Sequence, residues 1–184
     1  MIPEEGFAKP SKIQKLNYMS MNKMKSKDFL NTIGTLHLSM TFGIVIASLV
    51  AYYFSLQDIN LEIIPEESMQ IVQWLLVLVT IAFIAVSQYL KSTGLASINR
   101  ETDLAHKLPK YQSVMLKKLA ILEGIALLLV IMYFLSSNTF FLVLASVMVI
   151  SMLVDYPSKN KIIQELQLDD EESAKINDPE CYVS

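Results

Sequence analysis

The sequence predicts an all-α polytopic membrane protein, with four transmembrane helices arranged as two antiparallel hairpins and both termini in the cytoplasm. Three observations carry this expectation. Hydrophobic residues make up 53% of the 184 and charged residues only 18%, and the mean hydropathy is +0.41, which departs from ordinary soluble composition. The apolar residues gather in four blocks, 36–56, 71–90, 119–135 and 140–154. A helix needs about 20 apolar residues to cross a hydrocarbon core of ~30 Å, somewhat fewer when flanking side chains snorkel. With interfacial ends included, the expected spans are 36–56, 71–90, 116–136 and 139–156, joined inside by a loop at 91–115. No block alternates with period two, which argues against an outer-membrane barrel. Finally, all 15 lysines and arginines fall on one side of such a four-span arrangement.

Residues 1–31 read as a basic cytoplasmic tail, with Lys9, Lys12, Lys15, Lys23, Lys25 and Lys27 set against Glu4, Glu5 and Asp28. Anionic headgroups attract such lysines at about 1 kcal/mol each. Aromatic residues do not interleave them, so no nucleic-acid partner is expected. Glu4 and Glu5 stand where a signal peptide would be basic, so the first span is expected to act as its own insertion signal. Met19, Met21 and Met24 leave the translation start open.

The segment 57–69 holds Asp58, Glu62, Glu66 and Glu67 and no lysine or arginine, whereas 91–118 holds Lys91, Arg100, Lys107, Lys110, Lys117 and Lys118. The positive-inside rule places the second segment and both tails in the cytoplasm. Aromatic residues agree: Tyr52, Tyr53, Trp74, Tyr133, Phe134, Phe140 and Phe141 mark one boundary, Tyr89 and Tyr156 the other. Gly43, Ala47 and Ala51, and again Ala120 and Gly124, recur at four-residue intervals. Small residues so spaced let helix backbones approach, with sister helices as the expected neighbours. Gly43 to Phe54 and Gly124 to Phe134 look alike, as would a parallel repeat of the two hairpins.

Leu95, Ile98, Leu104 and Leu108 are expected along the interface until Pro109 breaks the pattern. Pro157 should end the fourth span. Ser158 then caps a short amphipathic helix with Ile162, Ile163 and Leu166 on one face, and Asp169 with Glu172 forms a capping box. The domain 157–184 reads as an acidic cytoplasmic tail, disordered from Asn177 on. Its last residues, Cys181-Tyr182-Val183-Ser184, fit a prenylation box in form, but an acidic approach and four spans argue against a lipid anchor.

One carboxylate lies inside an apolar block. Glu123 stands five residues past Lys118, about 7.5 Å along a helix. Gln88, His37 and Asp155 lie at similar depth on the other spans, so these four residues are the candidates for ion or proton handling. Structural hydrogen bonding of Glu123 to Gln88, a serine or a lysine is the plainer expectation. Phosphate loops, dinucleotide fingerprints, metal-ligand spacings and nucleophile elbows do not occur, so no catalytic residue, metal or cofactor is expected.

The run Leu119-Ala120-Ile121-Leu122-Glu123-Gly124-Ile125-Ala126-Leu127 resembles the carboxylate helix of the rotary ATPase proteolipid subunits, with Lys107-Leu108-Pro109 in the place of their polar loop. That resemblance implies a proton- or sodium-carrying role for Glu123. The second span lacks the glycine stripe of that family, and the tail here is long. More broadly, Leu108 to Gln112, the hairpin, and Pro157 to Ile163 resemble a group of small four-span bacterial inner-membrane proteins, which implies the cytoplasmic membrane and no activity. The functional expectation is a non-enzymatic accessory or structural protein that contacts lipid and packs with partner helices or copies of itself, or recruits cytoplasmic partners. The alternative is an ion- or proton-handling protein that uses Glu123.

Overall fold

A computed structural model describes residues 24–57, 65–98 and 104–183. They form α1 (Ser26–Leu56), α2 (Glu66–Ile98), α3 (Leu104–Ser136), α4 (Thr139–Val154), α5 (Lys159–Glu165) and α6 (Asp170–Asn177). Among the described residues there is no strand beyond one isolated bridge, Lys25 to Tyr182. α1, α2 and α3 are each long and apolar enough to cross a membrane, and α4 with α5 qualifies only as a pair bent by 80°. By length and composition this is a multi-pass helical membrane protein.

α3 sits at the centre and packs against α1, α2 and α4. Lys118 of α3 reaches Gln88 of α2 and Gly94 of α2 lies against Val114, so these two helices run antiparallel. The α3–α4 hairpin is closely packed, but α1 lies on α3 and α4 instead of along α2. The first expected hairpin therefore does not pack on itself, and the suggested repeat of two like hairpins is not reproduced in the packing.

The helices run beyond the predicted spans. α1 begins at Ser26, and of the predicted 91–115 loop residues 91–98 and 104–115 are helical, while 99–103 lie outside the described residues. The reason is a second hydrophobic core. The first core, which includes Ile44, Leu76, Leu122, Ala126, Leu129, Phe141 and Met148, fills the apolar part of the bundle. The second joins the start of α1, the end of α2, the start of α3 and the tail, through Phe29, Ile33, Ile98, Leu108, Tyr111, Ile162, Leu166, Ile176 and Val183. Leu95, Ile98, Leu104 and Leu108 thus face protein. Pro109 lies inside α3 without ending it. It removes one backbone hydrogen bond at a cost of about 3 kcal/mol, and burial of Leu104, Leu108, Tyr111 and Met115 offsets that.

The expected disorder from Asn177 is also corrected. Val183 is buried and its N–H donates to the Met24 carbonyl at 3.0 Å, while Ser26 N–H donates to the Cys181 carbonyl at 3.0 Å. Ser26 Oγ donates to the Ile176 carbonyl at 2.6 Å. Lys25 pairs with Glu180 at 2.5 Å and holds that exposed carboxyl below its ordinary range, so the clamp is present at neutral pH and is lost as pH falls through that lowered value. Ser158 and Asp169 cap α5 and α6 as expected. The capping box is only half made, because Glu172 turns its carboxylate to Lys107, at 2.7–2.8 Å, and not back to Asp169.

The α3–α4 turn is as tight as predicted. Ser137 N–H donates to the Tyr133 carbonyl at 2.8 Å, and the Asn138 side chain accepts from Phe140 N–H at 3.0 Å. Ser137 adopts φ 54°, a left-handed conformation that favours glycine, and its buried hydroxyl has no partner among the described residues. Ser137→Gly is expected to raise stability by about 1 kcal/mol, read as a higher melting midpoint in detergent. A lowered midpoint would show that the hydroxyl is used.

Candidate functional site: an ionic layer and an unpaired carboxylate

Between the two cores lies a layer of charge centred on Asp155, in the residue that ends α4. Lys118 of α3 is 2% exposed; its ammonium pairs with Asp155 and donates to Gln88 Oε1 at 3.0 Å. Lys161, one turn into the tail, pairs with Asp155 at 3.0 Å, and Lys91 of α2 lies 3.6 Å from it. Lys91 bridges on to Glu165 of α5 at 2.7 Å, and the Tyr111 hydroxyl donates to Glu165 at 3.0 Å. Three helices, α2, α3 and α5, and the α4–α5 turn thus meet on two carboxylates. Buried charges persist only when they are paired and hydrogen-bonded, which this network achieves.

His37 sits at the same level on α1. Its Nε2 lies 2.8 Å from the Met152 carbonyl, and a carbonyl only accepts, so Nε2 carries the proton. The ring meets Tyr156 edge to face at 5.6 Å. Of the four candidates, Gln88, Asp155 and His37 therefore gather at the layer. Gln88 serves Lys118, not Glu123.

Glu123 stands apart, about 7.5 Å further into the apolar part of α3. It is partly buried and has no hydrogen-bond or ion-pair partner among the described residues. Its Oε1 lies 3.9 Å from where a Cβ on Gly43 would be, so α1 flanks it. α2 lies along the other flank of α3, through Gly94 on Val114, and α4 takes the buried face. What remains is an open strip of α3. Ala120 and Gly124 are exposed, a Cβ on Gly124 would meet nothing within 4 Å, and Leu127, Leu128 and Ile131 are exposed beside them. The two small-residue stripes therefore differ. Gly43, Ala47 and Ala51 lie on α1, where Ala51 is buried in the first core and Ala47 packs against it, whereas Ala120 and Gly124 are exposed.

Sequence reasoning missed Lys91, Lys118, Lys161, Glu165 and Tyr111 as one network. Each is separately visible as an interfacial polar residue, but their convergence depends on the 80° bend after α4. Among the described residues no cluster of metal-ligating side chains occurs. Comparison with protein-family models, curated proteins and solved structures gave no match.

Proposed function

We propose that this chain is a four-span accessory protein of the bacterial cytoplasmic membrane, without enzymatic activity, whose lysine-bearing end faces the cytoplasm and whose open α3 face receives a helix of a partner membrane protein. The observation that carries this is Glu123, a carboxylate in an apolar segment with no hydrogen-bond or ion-pair partner among the described residues, beside α1 at the edge of the open strip of α3. An acidic residue costs up to about 3 kcal/mol on insertion scales, the figure for the centre of a span, and such residues are typically paired. The exposed Ala120 and Gly124 allow close approach, and a partner donor would satisfy Glu123. A second copy docking through the same strip would bring two carboxylates together, which like-charge repulsion opposes, so the fitting partner carries a lysine, arginine or neutral hydrogen-bond donor. The four-span topology rests on the lysine and arginine distribution.

Glu123→Leu is expected to leave the melting midpoint of the isolated chain nearly unchanged, within about 0.5 kcal/mol, because no internal hydrogen bond or ion pair is lost. The same substitution should remove a protein that co-purifies with the wild type in gentle detergent. Retention of that partner would refute the docking role. The ion-handling alternative draws on the same unpaired carboxylate and differs in outcome: Glu123 would react with a hydrophobic carbodiimide, protons or the carried cation would protect it, and Glu123→Gln would stop flux in proteoliposomes. For topology, a cysteine at Gln57 should label with an impermeant thiol reagent in intact cells and one at Ser113 should not. Labelling at Ser113 would reverse or break the arrangement.

A further inference from the structure

One face of α1 carries a polar end and an apolar length that line up. At the polar end, a cavity of about 250 Å3 opens between the start of α1 and the α4–α5 turn, lined by Lys27, Asn31, Tyr156, Ser158 and Lys159. Further along the same two helices, a second groove of about 290 Å3 is lined by Val45, Ser48, Leu49, Ser146, Val149 and Ile150. Lys27, Asn31, Leu38, Val45 and Leu49 follow one another at four- and seven-residue steps, which puts them in a single stripe of α1. On α4, Ser146, Ile150 and Leu153 follow at steps of four and three residues and lead to Tyr156. Leu38, Leu49, Ile150 and Leu153 are exposed, so the seam between the grooves is open and apolar.

The two ammonium groups at the polar end form no ion pair among the described residues. Lys27 has no side-chain partner among the described residues, and the Lys159 ammonium makes only a 3.4 Å contact with the Asn177 carbonyl. Of the nearby acids, Asp155 pairs with Lys118 and Lys161, Glu180 pairs with Lys25 while lying within the field of Lys27, and Asp178 accepts from Glu180 N–H; Asp28 sits beside Lys27 in sequence. Ser158 Oγ accepts from Lys161 N–H at 3.3 Å and keeps its own proton to donate. Depth is right for a headgroup. Asn31 precedes the apolar run at Leu36 by five residues, about 7.5 Å, which matches the ~5–8 Å headgroup layer of one leaflet.

We propose that this seam binds one anionic phospholipid, its phosphodiester between Lys27 and Lys159, its headgroup hydroxyls against Asn31 and Ser158, and an acyl chain along the α1–α4 groove. Two ammonium groups facing one phosphate favour a headgroup with no cation of its own, as in phosphatidylglycerol. The continuous apolar seam distinguishes a lipid from free phosphate.

Native mass spectrometry of the full chain released from detergent, after incubation with phosphatidylglycerol, phosphatidylcholine or inorganic phosphate, tests this. Retention of one phosphatidylglycerol is expected, with little phosphatidylcholine. Lys27→Ala with Lys159→Ala should weaken retention about 30-fold, from the loss of two near-surface charge attractions, while the equally exposed Lys117→Ala does not. Ser48→Trp, which fills the groove, should weaken it with both lysines intact. Unchanged melting midpoints in these variants would keep the reading on binding. Equal retention by the double variant, or loss in Lys117→Ala as well, would overturn the site. Displacement of the lipid by millimolar inorganic phosphate would reduce it to a phosphate site and overturn the lipid proposal.

Discussion

Asp155→Ala is expected to destabilise the protein by roughly 3–5 kcal/mol, the scale of removing one partner from a buried charge network. The substitution leaves Lys118, Lys91 and Lys161 facing one another without their shared carboxylate. Lys118 is the critical group, since at 2% exposure it cannot turn to water. Asp155→Asn should fall between, because the amide keeps an acceptor but no charge. Combining Asp155→Asn with Lys118→Met should recover part of the loss, as replacing both charges by neutral groups of similar shape is often close to neutral. Melting midpoints in detergent measure all three. A midpoint for Asp155→Ala equal to wild type would mean that the lysines are solvated and the layer holds nothing together.

Truncation after Pro157 is expected to be more damaging still. It removes Ile162, Leu166, Ile176 and Val183 from the second core and takes Glu172 from Lys107, which is 7% exposed. At about 1.5–3 kcal/mol per buried apolar side chain, the loss reaches the stability of an ordinary domain, even allowing for a compact unfolded state. The truncated chain should therefore fail to accumulate in membranes, and the milder Ile162→Ala should lower stability by about 2–5 kcal/mol. The sequence alone suggests the reverse, a dispensable tail that recruits partners through its amphipathic face. That face is already occupied by α1 and α3. Normal accumulation and melting of the truncated chain would show that the second core does not fold cooperatively with the bundle.

How much of this is legible in the sequence follows from which interactions are local. Helix existence is set by runs of apolar residues, and the caps at Ser158 and Asp169 act over three residues, so these read directly. The tight Ser137–Asn138 turn does too. Helix ends at the polar side do not, because the apolar residues around Leu104 and Ile98 look interfacial until the tail that covers them is placed. Glu123 illustrates the limit in the other direction. Its depth is plain from its distance to Lys118, but whether Gln88 would meet it depends on the rotation of α2 about its axis. That rotation puts Gln88 on Lys118, and the carboxylate is left facing the gap between α1 and α2. The small-residue spacing at Ala120 and Gly124 likewise says that a close approach is possible, not which helix makes it.

Site-specific photo-crosslinking in living cells tests the docking role of α3 most directly. A photoreactive residue at Gly124 or Leu127, on the open strip, should give one discrete adduct with another membrane protein, and the adduct should vanish when Glu123→Leu is added. The same residue at Leu78 or Ile150, exposed on α2 and α4, is the control for general lipid-facing surface and should give no such adduct. Crosslinks from Gly124 and Leu127 only to lipid, or protein adducts of the same kind from all four positions, would contradict the account.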